Sequence, residues 1–555
     1  MQKKGKLELT WVGKYDEKEI EPRILVEDKS KSYGDPDSEN MLIHGDNLIA
    51  LKALEQDYAG RIKCIYIDPP YNTGSAFEYY DDGLEHSEWL NMMRPRLELL
   101  HKLLSEDGTI FIQIDYNEQA YLKVLCDEIF GRNNFLTMIT CKVKAPSGIA
   151  SGANAFFDCS EYILAYCKDK LSFSFHSLKI DSARLGAGAP NVTNFYNQLL
   201  TKFDISKFVD FTTFEGDVQI KELSEENFAV DTIKKTDRTE LTYYNSYKSI
   251  FATAAISGGR DKKILAYLKT LPNYDKNKIY SYSYIASQGK NKGKLITNYI
   301  YKDRNILFLK DYVRVDNENR VVYKQDIVTN IFYNDWWQGL TSEGGVDFKN
   351  GQKPEKLLEL LFSITTKEGD VVLDSFLGSG TTIAAAHKMR RKWIGIEMGD
   401  HAYSHCKFRI DQIIKGVDST GITKTQKWIS GGGYKFYELA PSLLVPNPKL
   451  PTMKQINPEY TFEMMCEAIC KLEGFKYKPD GKFHGKSSEQ RFIHITKEFV
   501  NGEYINSLVA NLGEGQSLLV YGMKIQSGLR LPDNIIVKKI PKDLLDKCTF
   551  ESEVR

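Results

Sequence analysis

The chain has 555 residues, with 74 Lys and Arg balancing 74 Asp and Glu, so any strongly basic face must be local and offset elsewhere. A hydrophobic content of 42% and a charged fraction of 27% suit a soluble globular chain, long enough for about three to four units with cores of their own. The nine cysteines (Cys64, Cys126, Cys141, Cys159, Cys167, Cys406, Cys466, Cys470 and Cys548) form no Cys-x-x-Cys pair, which argues against a disulfide framework or a cysteine zinc site. With no signal peptide and no apolar stretch of about twenty residues, the expected location is a reducing cytoplasm, away from membranes.

Residues 1–40 are polar, with Lys3-Lys4 and a Gly34-Asp35-Pro36-Asp37 turn, and read as an extension packed on the first domain. In 41–140, His44-Gly45-Asp46-Asn47 precedes a helix opening at Leu48. The nearly unbroken apolar run Ile62–Ile67 predicts a parallel strand buried on both faces. Asp68-Pro69-Pro70-Tyr71 follows at its carboxyl end, where open α/β sheets bind ligands. Two prolines cannot continue the ladder, so the chain leaves the sheet rigidly and presents a carboxylate, a carbonyl and a ring. Asn72-Thr73-Gly74-Ser75 and the aromatics Phe77, Tyr79 and Tyr80 suggest a lid. Trp89, Met93, Leu97, Leu100 and Leu104 then recur at helical spacing, and the strand Thr109–Asp115 follows a Gly108 stop.

From 141 to 330 the periodicity weakens and Tyr, Ser, Lys and Asn crowd the sequence, which predicts an insert between two halves of one domain. Lys290, Lys292 and Lys294, interleaved with glycines between Tyr284 and Tyr299, suit a phosphate-contacting loop. Residues 331–440 return to α/β character. The strand Val371–Asp374 runs into Ser375-Phe376-Leu377-Gly378-Ser379-Gly380-Thr381-Thr382 and a helix, and Trp393–Ile396 is a further strand ending in Glu397. Glycines there let backbone approach a ligand, and an acidic residue at the next strand end suits ribose hydroxyls. The dinucleotide Gly-x-Gly-x-x-Gly fingerprint is absent, and Gly289–Lys294 lacks the glycine spacing of a P-loop. His401 and His405 lie one helical turn apart without the Glu of a zinc protease, so no metal is expected. Beyond Pro441, prolines at 446, 448 and 451 mark a linker to 441–555, where a helix at Phe462–Leu472 and strands near Arg491 and Ser517 suggest an assembly domain.

Asp68-Pro69-Pro70-Tyr71 resembles the signature of amino-group DNA methyltransferases, and its pairing with the Asp374–Thr381 loop strengthens that resemblance. The resemblance implies a doubly wound α/β sheet, circularly permuted in the order of the beta class, with S-adenosylmethionine as cofactor. In the family the Asp carboxylate and the first proline carbonyl accept an exocyclic amine, and the Tyr ring stacks on the base. Carried over, Asp68, Pro69, Pro70 and Tyr71 form the acceptor site. Asp374, Phe376, Gly378, Gly380 and Thr381 would hold the methionine part, and Glu397 the ribose. Asn350-Gly351-Gln352-Lys353-Pro354 looks like the Lys-Pro segment that closes the methionine end, and Asp46 would lie near the adenine. The Asn72-Thr73-Gly74 extension, the lysine loop, Tyr312-Val313-Arg314 and Leu531-Pro532-Asp533-Asn534 with Ile540-Pro541 resemble the modification (Mod) subunit of type III restriction-modification systems. That implies adenine N6 methylation of double-stranded DNA, a homodimer and a separate ATPase/nuclease subunit. N4-cytosine methylation, a catalytically silent DNA-binding subunit and an RNA substrate are the alternatives.

Overall fold

The computed structural model describes every residue except 1–7, 17–19, 74–83, 145–155, 187, 217, 287–292, 333–334, 349–350 and 548–555. The chain forms two compact units, one of Met1–His176 with Thr329–Arg555 and one of Ser177–Val328.

The first unit is built on a mixed sheet. Eight of its eleven strands, numbered here along the chain, are β1 (Met41–His44), β2 (Ile62–Ile67), β3 (Leu104–Ile114), β4 (Phe135–Lys142), β5 (Ser160–Cys167), β6 (Val371–Asp374), β7 (Lys392–Glu397) and β8 (Gly433–Leu439), with the short strand Ile331–Phe332 parallel to β4 at one edge. They lie in the order β8-β1-β7-β6-β2-β3-β5-β4. From β8 to β3 all neighbours are parallel, whereas β5 runs antiparallel to both β3 and β4. Two strands from late in the chain, β6 and β7, therefore sit between β1 and β2. As the apolar run predicts, Cys64, Ile65, Tyr66 and Ile67 of β2 are buried.

Helices α1 (Asn47–Tyr58), α2 (His86–Leu103) and α3 (Tyr116–Cys126) follow β1, the region after β2, and β3. Helices α4 (Glu355–Thr365), α5 (Thr381–Lys388) and α6 (Phe408–Lys415) surround β6 and β7. The α2 stripe Trp89, Met93, Leu97 and Leu100 is wholly buried, each side chain contributing roughly 1.5–3 kcal/mol. Leu104 departs from the helical expectation. The helix stops at Leu103 and Leu104 opens β3, but its register against β2 shifts over residues 105–108, and regular pairing resumes at Thr109, after Gly108.

Residues Leu25–Glu27 and Tyr33–Gly34 pair antiparallel with β8, so the N-terminal extension is stitched to the sheet edge. Residues after 441 carry the expected helix Phe462–Leu472 and a five-stranded sheet that includes Arg491–Val500 and Ser517–Ile525. Their core takes in Ile24 and Ala440, so this region shares its core with the N-terminal extension and the exit of β8 within one unit.

The second unit, Ser177–Val328, is mostly β: an eight-stranded and a three-stranded antiparallel sheet with helices at Glu240–Ser246 and Gly259–Leu268. It is narrower than the expected insert of 141–330. Residues 160–167 are β5, whose antiparallel pairing with β3 and β4 places them in the first unit's sheet. Among the described residues, no helix is long and apolar enough to cross a membrane.

Candidate active site

β2 and β6 are adjacent, with Val372 opposite Cys64 and Leu373 opposite Ile65, so Asp68 and Asp374 leave the sheet side by side. From β2 the chain proceeds to β3 on one side, and from β6 to β7 on the other. The strand order thus reverses between them, and a crevice opens at the carboxyl ends of such a pair.

On the β2 side, the indole of Trp89 donates to the Pro70 carbonyl at 2.8 Å. Among the described residues no donor is paired with the Pro69 carbonyl, so the first proline offers the available acceptor. Asn72 turns the chain with φ of +61°, a left-handed value Asn tolerates well. The Tyr71 hydroxyl stands 2.8 Å from Asp68 Oδ1 and 2.9 Å from Glu161 Oε2. Glu161, on β5, also accepts the Gln113 side-chain amide, and Gln113 is oriented from behind by the Tyr66 hydroxyl at 2.5 Å. Lys353 Nζ lies 2.8 Å from Asp68 Oδ2, 3.8 Å from Glu161 Oε2 and 5.1 Å from the centre of the Tyr71 ring.

These groups shape one another's protonation. Burial and the neighbouring Glu161 raise the Asp68 carboxyl above its usual range, with Lys353 pulling the other way. Burial works against the Lys353 ammonium, but Asp68 and Glu161 together outweigh it and hold its pKa above the ordinary value. Burial, then the two carboxylates, lifts the Tyr71 phenol well above 10, so it remains a neutral donor.

On the β6 side the loop is folded by its own carboxylates. Asp374 accepts the Phe376 N–H at 2.9 Å and the Thr382 hydroxyl at 2.6 Å, and burial pushes its carboxyl up to about 7. Glu397 Oε2 accepts the Gly378 N–H at 2.7 Å, while its Oε1 accepts those of Met398 and Gly399 at 2.8 and 3.0 Å and lies 2.8 Å from His401 Nε2. Gly380 caps α5 at φ of +80°, and a Cβ there would come within 3.1 Å of the Cys406 Cα. Phe348 is the nearest neighbour of the Cβ positions of both Gly351 (2.7 Å) and Gly378 (3.8 Å), which brings the segment before Pro354 over the loop. Asn47 donates to the Ser375 carbonyl at 2.7 Å and ties the α1 start to the same place.

Behind the loop lies a buried ionic network that sequence reading missed. Glu355, the first residue of α4, accepts Lys388 of α5 at 2.8 Å and Arg409 of α6 at 2.8 Å, and all three side chains are fully buried. Arg409 also donates to Thr381 Oγ1 at 2.9 Å. The network fixes the helix that begins just after Lys353-Pro354 against the helix that begins at Gly380.

The expected residues therefore divide. Asp68, Tyr71 and Lys353 meet on one side of the crevice, and Asp374, Gly378, Gly380 and Glu397 shape the other. The Lys353 side chain is placed differently from the cofactor-side expectation, because Asp68 and Glu161 attract it to the acceptor side. Phe376 is a buried part of the core, Thr381 is tied to Arg409, and Asp46 is committed to the α1 N-cap (Ile49 N–H, 3.1 Å) and to Arg96 (3.3 Å). Lys290, Lys292 and the aromatics Phe77, Tyr79 and Tyr80 fall outside the described residues; Lys294 is exposed in the second unit, beside the hairpin of Ile279–Ile285 and Leu295–Tyr301. Tyr299 of that hairpin is spent on packing against Phe203, Phe208 and Phe308. Glu161 and Gln113 carry no sequence motif. They are brought to Asp68 only by strand pairing.

The DNA methylase family model matches residues 62–408, which is more than half of the chain and spans both sides of the crevice. The chain belongs to the DNA methylase family. Among curated relatives, a Haemophilus influenzae protein named as a type III restriction-modification HindVI Mod subunit is 38% identical over 76% of this chain and 56% of its own length. The EcoPI Mod subunit of Escherichia phage P1 is 29% identical over 69% of this chain and 61% of its length, and the EcoP15I Mod subunit of Escherichia coli 28% over 69% and 62%. The chain thus spans somewhat over half the length of these relatives. A solved complex of M1.HpyAVI with SAM aligns with 66% of the chain and 99% of its own at 15% identity and a TM-score of 0.29, too low to bear on the fold, which is read from the strand order itself.

As a DNA methylase the chain takes S-adenosylmethionine as its cofactor. The residues present fit it: Ser375 Oγ in the loop and Gln352 Oε1 beside Lys353 are buried polar atoms with no hydrogen-bond partner among the described residues, suited to a polar ligand end. Gly378 and Gly380 give the turn its positive φ values of +56° and +80°, and Glu397 ends the adjoining strand with its carboxylate against that turn.

Proposed function

We propose that this DNA methylase transfers a methyl group to adenine N6 in double-stranded DNA, as the modification and specificity subunit of a type III restriction-modification system that works as a homodimer beside a separate restriction subunit. The observation that carries the chemistry is the acceptor pair, the Asp68 carboxylate and the available Pro69 carbonyl, standing next to the β6 loop at the point where the strand order reverses. The resemblance to Mod subunits supports adenine and the type III setting.

The N6 lone pair of adenine is delocalised into the ring and is a poor nucleophile. Asp68 and the Pro69 carbonyl, by accepting its two N–H bonds, localise that pair and aim it, so positioning and fixed dipoles carry the rate. S-adenosylmethionine, when bound, supplies an electrophilic sulfonium methyl. Gly378, Gly380, Ser375 and Glu397 would hold it. The methylated amine carries an extra proton, which Asp68 can accept because burial makes it a better base than an exposed carboxylate. The target base must leave the duplex, and the Tyr71 ring offers a stacking surface that offsets part of that cost.

The test is transfer from radiolabelled S-adenosylmethionine to unmethylated DNA of mixed sequence, followed by nucleoside analysis. N6-methyladenine is the expected product. N4-methylcytosine would replace the base assignment, and absence of transfer would overturn the enzymatic reading.

A further inference from the structure

Asp68 in this structure is already engaged by an amine. Lys353 Nζ lies 2.8 Å from the oxygen, Oδ2, that Tyr71 leaves open, and Tyr71 occupies Oδ1 at 2.8 Å. An adenine amine seeking the same carboxylate must displace a lysine amine from it.

The displaced ammonium needs a new partner, since a buried, unpaired charge is strongly disfavoured. Glu161 Oε2 is that partner by position: it stands 3.8 Å from Nζ, 1.0 Å farther than Asp68 Oδ2 at 2.8 Å, within the reach of a flexible four-carbon stem. Proton counting points the same way. The Tyr71 hydroxyl has one proton yet sits 2.8 Å from Asp68 Oδ1 and 2.9 Å from Glu161 Oε2, so it can satisfy only one carboxylate at a time. The other still carries a buried negative charge, which for Glu161 the neutral Gln113 amide does not cancel, and Lys353 is a cation near both. Gln113, locked by Tyr66, holds Glu161 in place on β5.

We propose that Glu161 is a positioning residue of the acceptor pocket, which receives the Lys353 ammonium when the target amine displaces it from Asp68, with Tyr71 turning its proton toward Asp68 as the lysine leaves. Lys353 is then a placeholder that offsets one of the pocket's two carboxylate charges until the target amine arrives. The proposal rests on the methyl-transfer reading above.

The test uses the full chain, unmethylated DNA of mixed sequence and three variants. In Glu161→Gln the lysine has no charged partner to move to and stays on Asp68. Its kcat should fall at least tenfold, while S-adenosylmethionine affinity by calorimetry and KM for DNA stay within about twofold. Lys353→Met should remain active above an acid limb moved to higher pH, since Asp68 and Glu161 then share only the Tyr71 proton, and it should keep its cofactor affinity. In the double variant the blocking amine is gone, so its kcat should recover to within about threefold of Lys353→Met alone. A residue that merely supports the fold would add its damage to the second change and show no such rescue. A double variant no faster than Glu161→Gln, an inactive Lys353→Met, or a tenfold loss of cofactor affinity in Lys353→Met would each overturn the proposal. A wild-type chain that methylates no DNA would instead overturn the reading beneath it.

Discussion

Lys353 Nζ and Asp68 Oδ2 lie 2.8 Å apart, so a residue expected at the methionine end of the pocket is paired instead with the first residue of the Asp68-Pro69-Pro70-Tyr71 motif. Under the proposed function the pairing makes Asp68 the group on which both charge balance and amine capture would depend, and the expected acid-side behaviour follows from it.

Transfer should require Asp68 as an anion. Burial raises its pKa above the ordinary 3.8, so activity should be complete above the raised value and lost as pH falls through it. The acid limb of kcat is therefore expected at a higher pH than a free carboxyl would produce. Asp68→Asn should lower kcat by about a hundredfold or more, abolish that limb and leave calorimetric affinity for S-adenosylmethionine nearly intact. Near-normal transfer by the variant would remove Asp68 from the chemistry.

Gly380→Asp should eliminate cofactor binding. The position has φ of +80°, and a Cβ would meet the Cys406 backbone at 3.1 Å, before any charge is considered. Calorimetry reads the result directly, and retained affinity would place the pocket elsewhere.

The Glu355–Lys388–Arg409 network predicts a stability effect distinct from catalysis. Arg409 also pairs with Glu343 at 3.4 Å and Lys388 with Asp418 at 2.5 Å, so without Arg409 one lysine faces three carboxylates; Arg409→Met should cost about 3–5 kcal/mol, read as a lower urea midpoint. A change within about 0.5 kcal/mol would mean that the network relaxes or admits water, as innocuous substitutions do.

Exchanging Lys290, Lys292 and Lys294 for Gln should weaken DNA binding and flatten its salt dependence, the log–log slope falling by up to about 0.9 per lost phosphate contact. An unchanged slope would return the loop to an ordinary solvated turn.

Removing residues 445–555 should do more than loosen an assembly contact. Ile24 and Ala440 share a core with Leu444, Met465, Ile469 and Ile493, and Lys471 donates to the Ala53 carbonyl of α1 at 3.3 Å. The truncated chain should unfold at a lower temperature as well as lose dimerisation in light scattering. A truncated chain that stays dimeric would move the interface into the first 444 residues.

The local sequence determined what the chain makes by itself: an apolar run such as Ile62–Ile67 can only be a strand buried on both faces, Pro69-Pro70 must end it, and the glycines at 378 and 380 permit a turn that other residues resist. These are short-range steric and solvation effects, and they sufficed to mark both sides of the crevice. What the sequence left open depends on which distant strands become neighbours. The insertion of β6 and β7 between β1 and β2, the claiming of residues 160–167 by the central sheet, and the burial of Glu355 with Arg409 are all decided by pairing and packing across the chain. Glu161 is the sharpest case. Nothing in its immediate sequence distinguishes it from any charge at a strand start, and only the antiparallel register of β5 against β3 and β4 carries it to Tyr71, Lys353 and, through them, Asp68.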